Sequence, residues 1–150
     1  MHEREPADLV EFLAPYPDHV QQLTLDGRTV LLEMLYPVSE IFYDAMSAVC
    51  SGFTYTGIVR DSFVNLAVYA DHVTLIFSYG VQLHDPESRL KGGGTRVRHI
   101  RLTGLQTLKD PYVVQLVKQA AEQAVRPLEP IEPRTVVKVM SGPKRRPKPA

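Results

Sequence analysis

The sequence contains few of the residues and segments that would place it in a specialised class of protein. Cys50 is the only cysteine among 150 residues, so neither an internal disulfide nor a multi-cysteine zinc site can form within one chain. No stretch approaches the roughly 20 consecutive apolar residues of a membrane helix. The first residues lack the basic and apolar regions of a signal peptide. We therefore expect a cytoplasmic protein that does not enter the membrane, with Cys50 as a small buried side chain.

Sequence signatures of the common hydrolases are also missing. There is no GxSxG nucleophile elbow, no HExxH metalloprotease motif and no recognised setting for a catalytic cysteine. Four isolated histidines cannot be assembled into a triad from the sequence: His19, His72, His84 and His99. A binding function is therefore favoured over catalysis, and a small enzyme of unknown reaction stays open as an alternative.

Hydrophobic spacing predicts three helices. Apolar residues at 9–13 indicate a short first helix, and mixed three- and four-residue spacings indicate a longer helix over 18–36. A break near Gly27 stays open, because a glycine inside a helix costs about 1 kcal/mol relative to alanine. Asp110 fits the N-cap of a final helix that ends near Arg126.

Strands are predicted mainly in the middle of the chain. β-branched and aromatic residues indicate a hairpin over 62–79 and a further strand over 95–102. The segment 38–56 is less regular, and we expect short strands at 40–43 and 53–56 with an irregular turn between them. The elements together predict an α+β fold, a two-layer sandwich in which helices cover one face of an antiparallel sheet of about 4–6 strands.

The domain is expected to end near residue 126. Prolines interrupt the chain after this point, and residues 134–140 fit one edge strand before a disordered basic tail. We therefore divide the chain into a single domain, 1–126, and an extension, 127–150. The tail carries no aromatic residue to stack on bases, so an unstructured solubilising tail is favoured over nucleic-acid binding.

Charge is distributed unevenly although the formal net charge is zero. Residues 1–44 carry nine acidic residues and two arginines, whereas residues 89–118 carry seven basic residues and one aspartate. The acidic residues of the first helix, Glu3, Asp8 and Glu11, could bind iron as an open carboxylate surface. A solvated helix face is the alternative account of the same residues.

The stretch LKGGGTRVRHIR, residues 90–101, joins three glycines to a basic strand. Consecutive glycines allow backbone amides to converge on an anion, and guanidinium groups add bidentate donors. The pattern is neither a P-loop nor a dinucleotide fingerprint. The predicted anion site comprises Lys91, Gly92, Gly93, Gly94, Arg96, Arg98 and Arg101. A flexible loop with solvated arginines stays open as the alternative.

A second group of side chains has the chemistry of metal ligands. His84 and Asp85 are adjacent, Glu87 is close in sequence and His72 lies at the turn of the predicted hairpin. Their spacing matches no recognised metal motif. Asp85 in front of Pro86 is equally typical of a tight turn or a capping position, and this second interpretation is favoured.

The segments LIFSYGVQLHDP, RLKGGG and VRHIRL, in this order between Leu75 and Leu102, resemble the family known as domain of unknown function 1801, or YdhG-like. The resemblance covers the layout of residues 7–124 and is most specific at residues 75–102. It implies a compact α+β fold. One bacterial branch of that family resembles frataxin and has an intracellular iron-chaperone role, so the resemblance also implies iron as a candidate ligand.

Two functions therefore stay open from the sequence. The first is a non-catalytic binding domain whose glycine-rich loop and arginine-rich strand receive an anionic small molecule or an acidic protein surface. The second is a frataxin-like iron chaperone that uses the acidic first helix.

Overall fold

The structure, a computed structural model, describes residues 7–44 and 48–138. It contains four helices and six strands within those residues. The helices are α1 (Ala7–Leu13), α2 (Asp18–Leu35), α3 (Gln106–Lys109) and α4 (Pro111–Gln123). The strands are β1 (Ser39–Asp44), β2 (Val49–Thr54), β3 (Val64–Val68), β4 (Val73–Phe77), β5 (Arg98–Leu102) and β6 (Thr135–Lys138). The predicted α+β class is confirmed.

The six strands form one mixed sheet in the order β5-β4-β3-β2-β1-β6. The strands from β1 to β5 pair with their sequence neighbours in antiparallel fashion, whereas β6 pairs with β1 in parallel. The predicted antiparallel pairing is confirmed for β1 to β5, and β6 adds a parallel strand at the edge of the sheet. A strand that arrives from a long connection can align in either direction, and its four residues carry no signal of that choice.

One face of the sheet carries the helices, as predicted. Alternate strand residues, among them Phe42, Phe53 and Leu75, form a single buried cluster with apolar side chains of α1, α2 and α4. Helix α2 runs through Gly27 without a break. A Cβ at this glycine would lie within 3.4 Å of Leu66 and Leu108, so the glycine allows α2 to approach the sheet closely.

Strands β1 and β2 differ most from the sequence-based prediction. Ser51 lies inside β2 and not in a turn, and β2 ends at Thr54 before most of the strand predicted at 53–56. Every described residue of β2 is buried, so the polar alternation that usually marks a strand is missing there. The turn predicted between the two strands falls partly on residues 45–47, which lie outside the described residues.

Other boundaries moved by a few residues. Helix α4 ends at Gln123 and not near Arg126, and β5 begins at Arg98 and not at residue 95. Asp110 caps α4 as predicted, because its carboxylate accepts a hydrogen bond of 2.9 Å from the backbone N–H of Tyr112. The segment 127–134, which we call the C-terminal strap, connects α4 to β6.

Candidate functional site

The predicted anion site lies at one end of the sheet, where β1, β3, β5 and β6 begin and β2 and β4 end. We call this the loop end. The glycine-rich segment precedes β5 there, and residues 91–97 are all exposed. Among the described residues, ten large hydrophobic side chains are exposed, and all except Val10 lie at the loop end.

Two backbone contacts define the shape of the glycine-rich loop. Lys91 and His99 exchange hydrogen bonds of 2.9 and 2.8 Å, which close the loop at its base. The N–H of Val81 donates to the carbonyl of Arg96 at 3.1 Å and ties the loop to the turn after β4. Gly92 has a φ of 128°, a conformation that glycine adopts without strain and other residues rarely adopt.

Arg98 holds the loop from within. Its Nη1 donates to the carbonyls of Gly94 and Val97 at 2.6 and 2.7 Å. The base of its side chain packs on Gly80, where an added Cβ would lie only 2.4 Å from the Arg98 Cβ. The guanidinium group is thus used largely for orienting the loop and not for reaching outward.

The amides of the loop remain available for a ligand. No backbone N–H of residues 92–97 donates a hydrogen bond to any described residue. Arg96 lies beside them with its guanidinium carbon 5.4 Å from the centre of the Tyr79 ring, a cation–π distance. The loop therefore presents a run of backbone donors with one stacked, exposed arginine, which is the chemistry of an anion site.

The structure does not bring all seven predicted residues together. Arg98 lies on the helix-covered face of β5 with Ile100 and Leu102, whereas Arg101 lies on the opposite face with His99. Arg101 is close enough to Asp71 to contribute to lowering the pKa of that carboxyl, although the hydrogen bond from His72 is the larger cause. The loop site therefore consists of residues 91–98, without Arg101.

Asp85 organises the turn in front of the loop. Its carboxylate accepts hydrogen bonds from the backbone N–H groups of Arg89 and Leu90, at 3.0 and 2.9 Å, and from the hydroxyl of Tyr112. Partial burial by itself would raise the pKa of Asp85. The hydrogen-bond donors stabilise the carboxylate more strongly, so the net effect is a pKa below the ordinary value. The interpretation of Asp85 as a turn-forming residue is confirmed.

The same turn is fastened to α4 by side chains. Arg89 forms an ion pair of 3.0 Å with Asp110 and lies 4.9 Å from the ring centre of Tyr112. The hydrogen bond from Arg89 is the main reason that the pKa of Asp110 is lowered. Gln119 exchanges hydrogen bonds with the backbone of His84, at 2.7 and 3.3 Å. We call the contacts of Asp85, Arg89, Asp110 and Tyr112 the surface network.

The candidate metal ligands are dispersed. Asp8 and Glu11 are exposed on α1, and Glu3 lies outside the described residues. Within 7–44 and 48–138, no group of three or more His, Cys, Asp or Glu side chains is arranged to hold a metal ion. His72 contacts Asp71 at 2.6 Å, while His84 is held through its backbone. Iron binding by the first helix stays a prediction.

Cys50 is buried in β2, as expected. Burial raises the pKa of its thiol to about 11, so the reactive thiolate is scarce at neutral pH. Its neighbours Ala48 and Ala67 form a small second cluster on the sheet face without helices. Cys50 is therefore a packing residue.

Two features at the loop end were not foreseen from the sequence. A cleft of about 70 Å³ lies between the turn at 59–61 and the end of α4, and Phe63, Phe77 and Tyr79 are among the residues that line it. A larger groove of about 330 Å³ lies under the C-terminal strap. Both are formed by residues distant in sequence, which leave no local pattern. Only the larger has the size typical of small-molecule sites, about 300–1,000 Å³.

Known proteins add no assignment. No family model matches the chain, and neither a curated protein nor a solved structure gives a match. In the part of the chain that the structure describes, no helix is both long and apolar enough to cross a bilayer.

Proposed function

We propose that this domain is a non-catalytic binding module that receives an anionic group at the loop formed by residues 91–98. The observation that carries the proposal is the run of backbone N–H groups at 92–97 that donate to no described residue, next to the exposed guanidinium of Arg96. An anion needs donors that are already oriented, because donors ordered only on binding cost conformational entropy. Arg98 supplies that order by holding two loop carbonyls.

The anion is a phosphate- or carboxylate-bearing small molecule or an acidic segment of a protein. Backbone donors and guanidinium groups recognise both chemistries. The loop is open and exposed at Gly93 and Gly94, where no described atom beyond the glycine and its two chain neighbours lies within 4 Å of an added Cβ. Such a surface admits a group that is part of a larger partner. Membership of the domain of unknown function 1801 family stays a prediction beside this proposal.

Calorimetric titration with two probes tests the proposal, pyrophosphate for the small molecule and a hexaglutamate peptide for the acidic segment. We expect at least one probe to bind the wild-type protein, with Arg96→Glu weakening the affinity about tenfold or more. Arg101→Glu is the matched control, because it makes the same charge change on the opposite face of β5, and we expect at most a twofold effect.

Amide chemical shifts provide an independent test of the same site. Titration of the binding probe into ¹⁵N-labelled protein should move the amide resonances of 92–97 more than those of 71–73 at the other end of the sheet. Failure of both probes to bind the wild-type protein, or equal weakening by Arg96→Glu and Arg101→Glu, would reject a site at the loop.

A further inference from the structure

The groove under the C-terminal strap is a second candidate site, and its residues are separate from those of the glycine-rich loop. The strap is fixed at both ends: Arg126 packs on Tyr55 before it, and the carbonyl of Arg134 accepts a hydrogen bond of 2.9 Å from the N–H of Glu40 where β6 begins. Between these points Ile131 packs beside Gly57, and the strap borders an open groove of about 330 Å³. The groove is lined by Pro37, Tyr55, Arg126, Pro127, Leu128, Pro130 and Ile131.

Arg126 is the charged residue of the groove, and its position is fixed by two contacts. Its guanidinium carbon lies 3.8 Å from the centre of the Tyr55 ring, and its Nη2 donates to the carbonyl of Ala121 at 2.8 Å. Tyr55 is itself held, because its hydroxyl donates to the carbonyl of Leu35 at 3.0 Å and its ring stacks on Phe63. One face of the Arg126 guanidinium therefore packs on an aromatic ring whose own position is fixed.

The guanidinium retains the capacity to bind a ligand. Arg126 is exposed, and its hydrogen bonds to the carbonyl of Ala121 and to the side chain of Tyr55 use only part of its five N–H donors among the described residues. A planar guanidinium offers a fork of donors at its edge for a carboxylate and a flat face for an aromatic ring. None of the described residues that line the groove is acidic, although the strap also carries Glu129 and Glu132.

The other lining residues of the groove indicate what kind of group the ligand carries beside its charge. Three prolines, a leucine and an isoleucine present apolar surface, and Leu128 is fully exposed at 105% of its reference area. Proline-rich walls lose little entropy when a ligand binds, because the proline backbone is already restricted. One cation in apolar surroundings suits a singly charged ligand with a flat apolar body.

From this geometry we infer that the strap groove binds a small aromatic carboxylate, whose carboxylate pairs with Arg126 and whose ring lies against Leu128 and the strap prolines. The groove volume falls within the range typical of small-molecule sites. This inference does not depend on the loop, since no residue of 91–98 lines the groove.

Fluorescence titration with 2-naphthoate tests the inference. We expect saturable binding to the wild-type protein and at least tenfold weaker binding of the uncharged methyl ester. Arg126→Lys should weaken 2-naphthoate at least tenfold, since lysine keeps the charge but lacks the planar fork. Arg96→Lys makes the same change at the loop and should leave 2-naphthoate binding within twofold of wild type.

Leu128→Ala keeps the test decisive if Arg126 variants fold poorly, because a fully exposed side chain contributes little to folding. We expect this variant to bind 2-naphthoate three- to fivefold more weakly at an unchanged melting temperature. Equal affinity for the acid and the ester, or unchanged binding in both Arg126→Lys and Leu128→Ala, would overturn the inference. Preference for an acidic proline-rich peptide over 2-naphthoate would overturn the small-molecule assignment.

Discussion

Two polar networks join distant parts of this chain, and they lie in opposite environments. The first is buried: Arg28 of α2 and Glu40 of β1 form an ion pair whose side chains are 3% and 0% exposed. Ser51 and Thr135 donate hydrogen bonds to the same carboxylate, the latter at 3.0 Å. The second is the surface network around Asp85, in which the side chains of Arg89 and Asp110 are each 35% exposed.

The two networks show how a charged side chain stabilises a structure in a buried and in a solvent-exposed position. Water cannot replace a partner in the buried network, so removal of the Glu40 charge leaves Arg28 buried without a counter-charge. Water can enter the surface network, where each hydrogen bond is worth less and the loss of one is tolerated. The buried network therefore controls whether β6 is held, and the surface network controls how the loop is presented.

The largest expected effect comes from breaking the buried pair. Glu40→Gln should lower the free energy of unfolding by about 3–5 kcal/mol, because Arg28 stays buried without its counter-charge. Urea denaturation measures this loss. The double variant Arg28→Met, Glu40→Leu is the control, and we expect it to recover most of the lost stability. A loss below about 1 kcal/mol in Glu40→Gln would contradict the role given to the pair.

A smaller loss is expected in the surface network. Asp85→Asn should lower the free energy of unfolding by about 2 kcal/mol, since an amide cannot accept from both backbone N–H groups and Tyr112 as the carboxylate does. The same denaturation experiment measures it. Asp8→Asn removes an exposed carboxylate on α1 and should change stability by less than about 0.5 kcal/mol. An Asp85→Asn loss as large as that of Glu40→Gln would remove the distinction between the two networks.

The glycine-rich loop extends the comparison to positions without charge. Gly92→Ala should cost about 1–2 kcal/mol, because alanine is strained at a φ of 128°. Gly93→Ala should change stability by less than about 0.5 kcal/mol, because the added methyl group meets no described atom within 4 Å beyond its own residue and the two chain neighbours. Thermal unfolding of the two variants provides a matched pair. Equal losses would show that the conformation of Gly92 does not set the loop.

The pH dependence of stability gives the finest test. The pKa of Asp85 is lowered in the folded protein, so its contribution is present above about pH 4, the value of an unfolded aspartate, and is lost as the pH falls through the folded pKa. Stability measured from pH 6 to pH 2 should therefore fall less steeply in Asp85→Asn than in wild type. Parallel curves would mean that the carboxylate does not act through its charge.

The sequence predicted those parts of the fold that depend on local chemistry. Asp110 with Pro111 marked the start of α4, and the dipeptide Asp71–His72 marked the turn between β3 and β4. The turn function of Asp85 was also predicted, because aspartate before proline accepts backbone hydrogen bonds in tight turns.

The parts that were missed depend on contacts between distant residues. Glu40 and Ser51 are polar residues in buried strands, and only the pairing of Glu40 with Arg28 explains their place in the core. Arg101 was assigned to the loop site by its proximity in sequence, but alternation along β5 places it on the other face from Arg98. The strap groove joins Pro37 and Tyr55 to residues after 125, which no sequence window contains.

The parallel pairing of β6 has a consequence for the order in which the domain assembles. Strands β1 to β5 pair with neighbours that are close in the chain, whereas Thr135 meets Glu40 across a separation of 95 residues. Contacts between distant residues form late, because closing a long loop loses conformational entropy before those contacts contribute any stabilising free energy. We expect strands β1 to β5 to pair first. Strand β6 should pair last, when Thr135 donates its hydrogen bond to the carboxylate of Glu40. Pulse-labelling hydrogen exchange should then show amides of β6 gaining protection after those of β3, and simultaneous protection would refute this order.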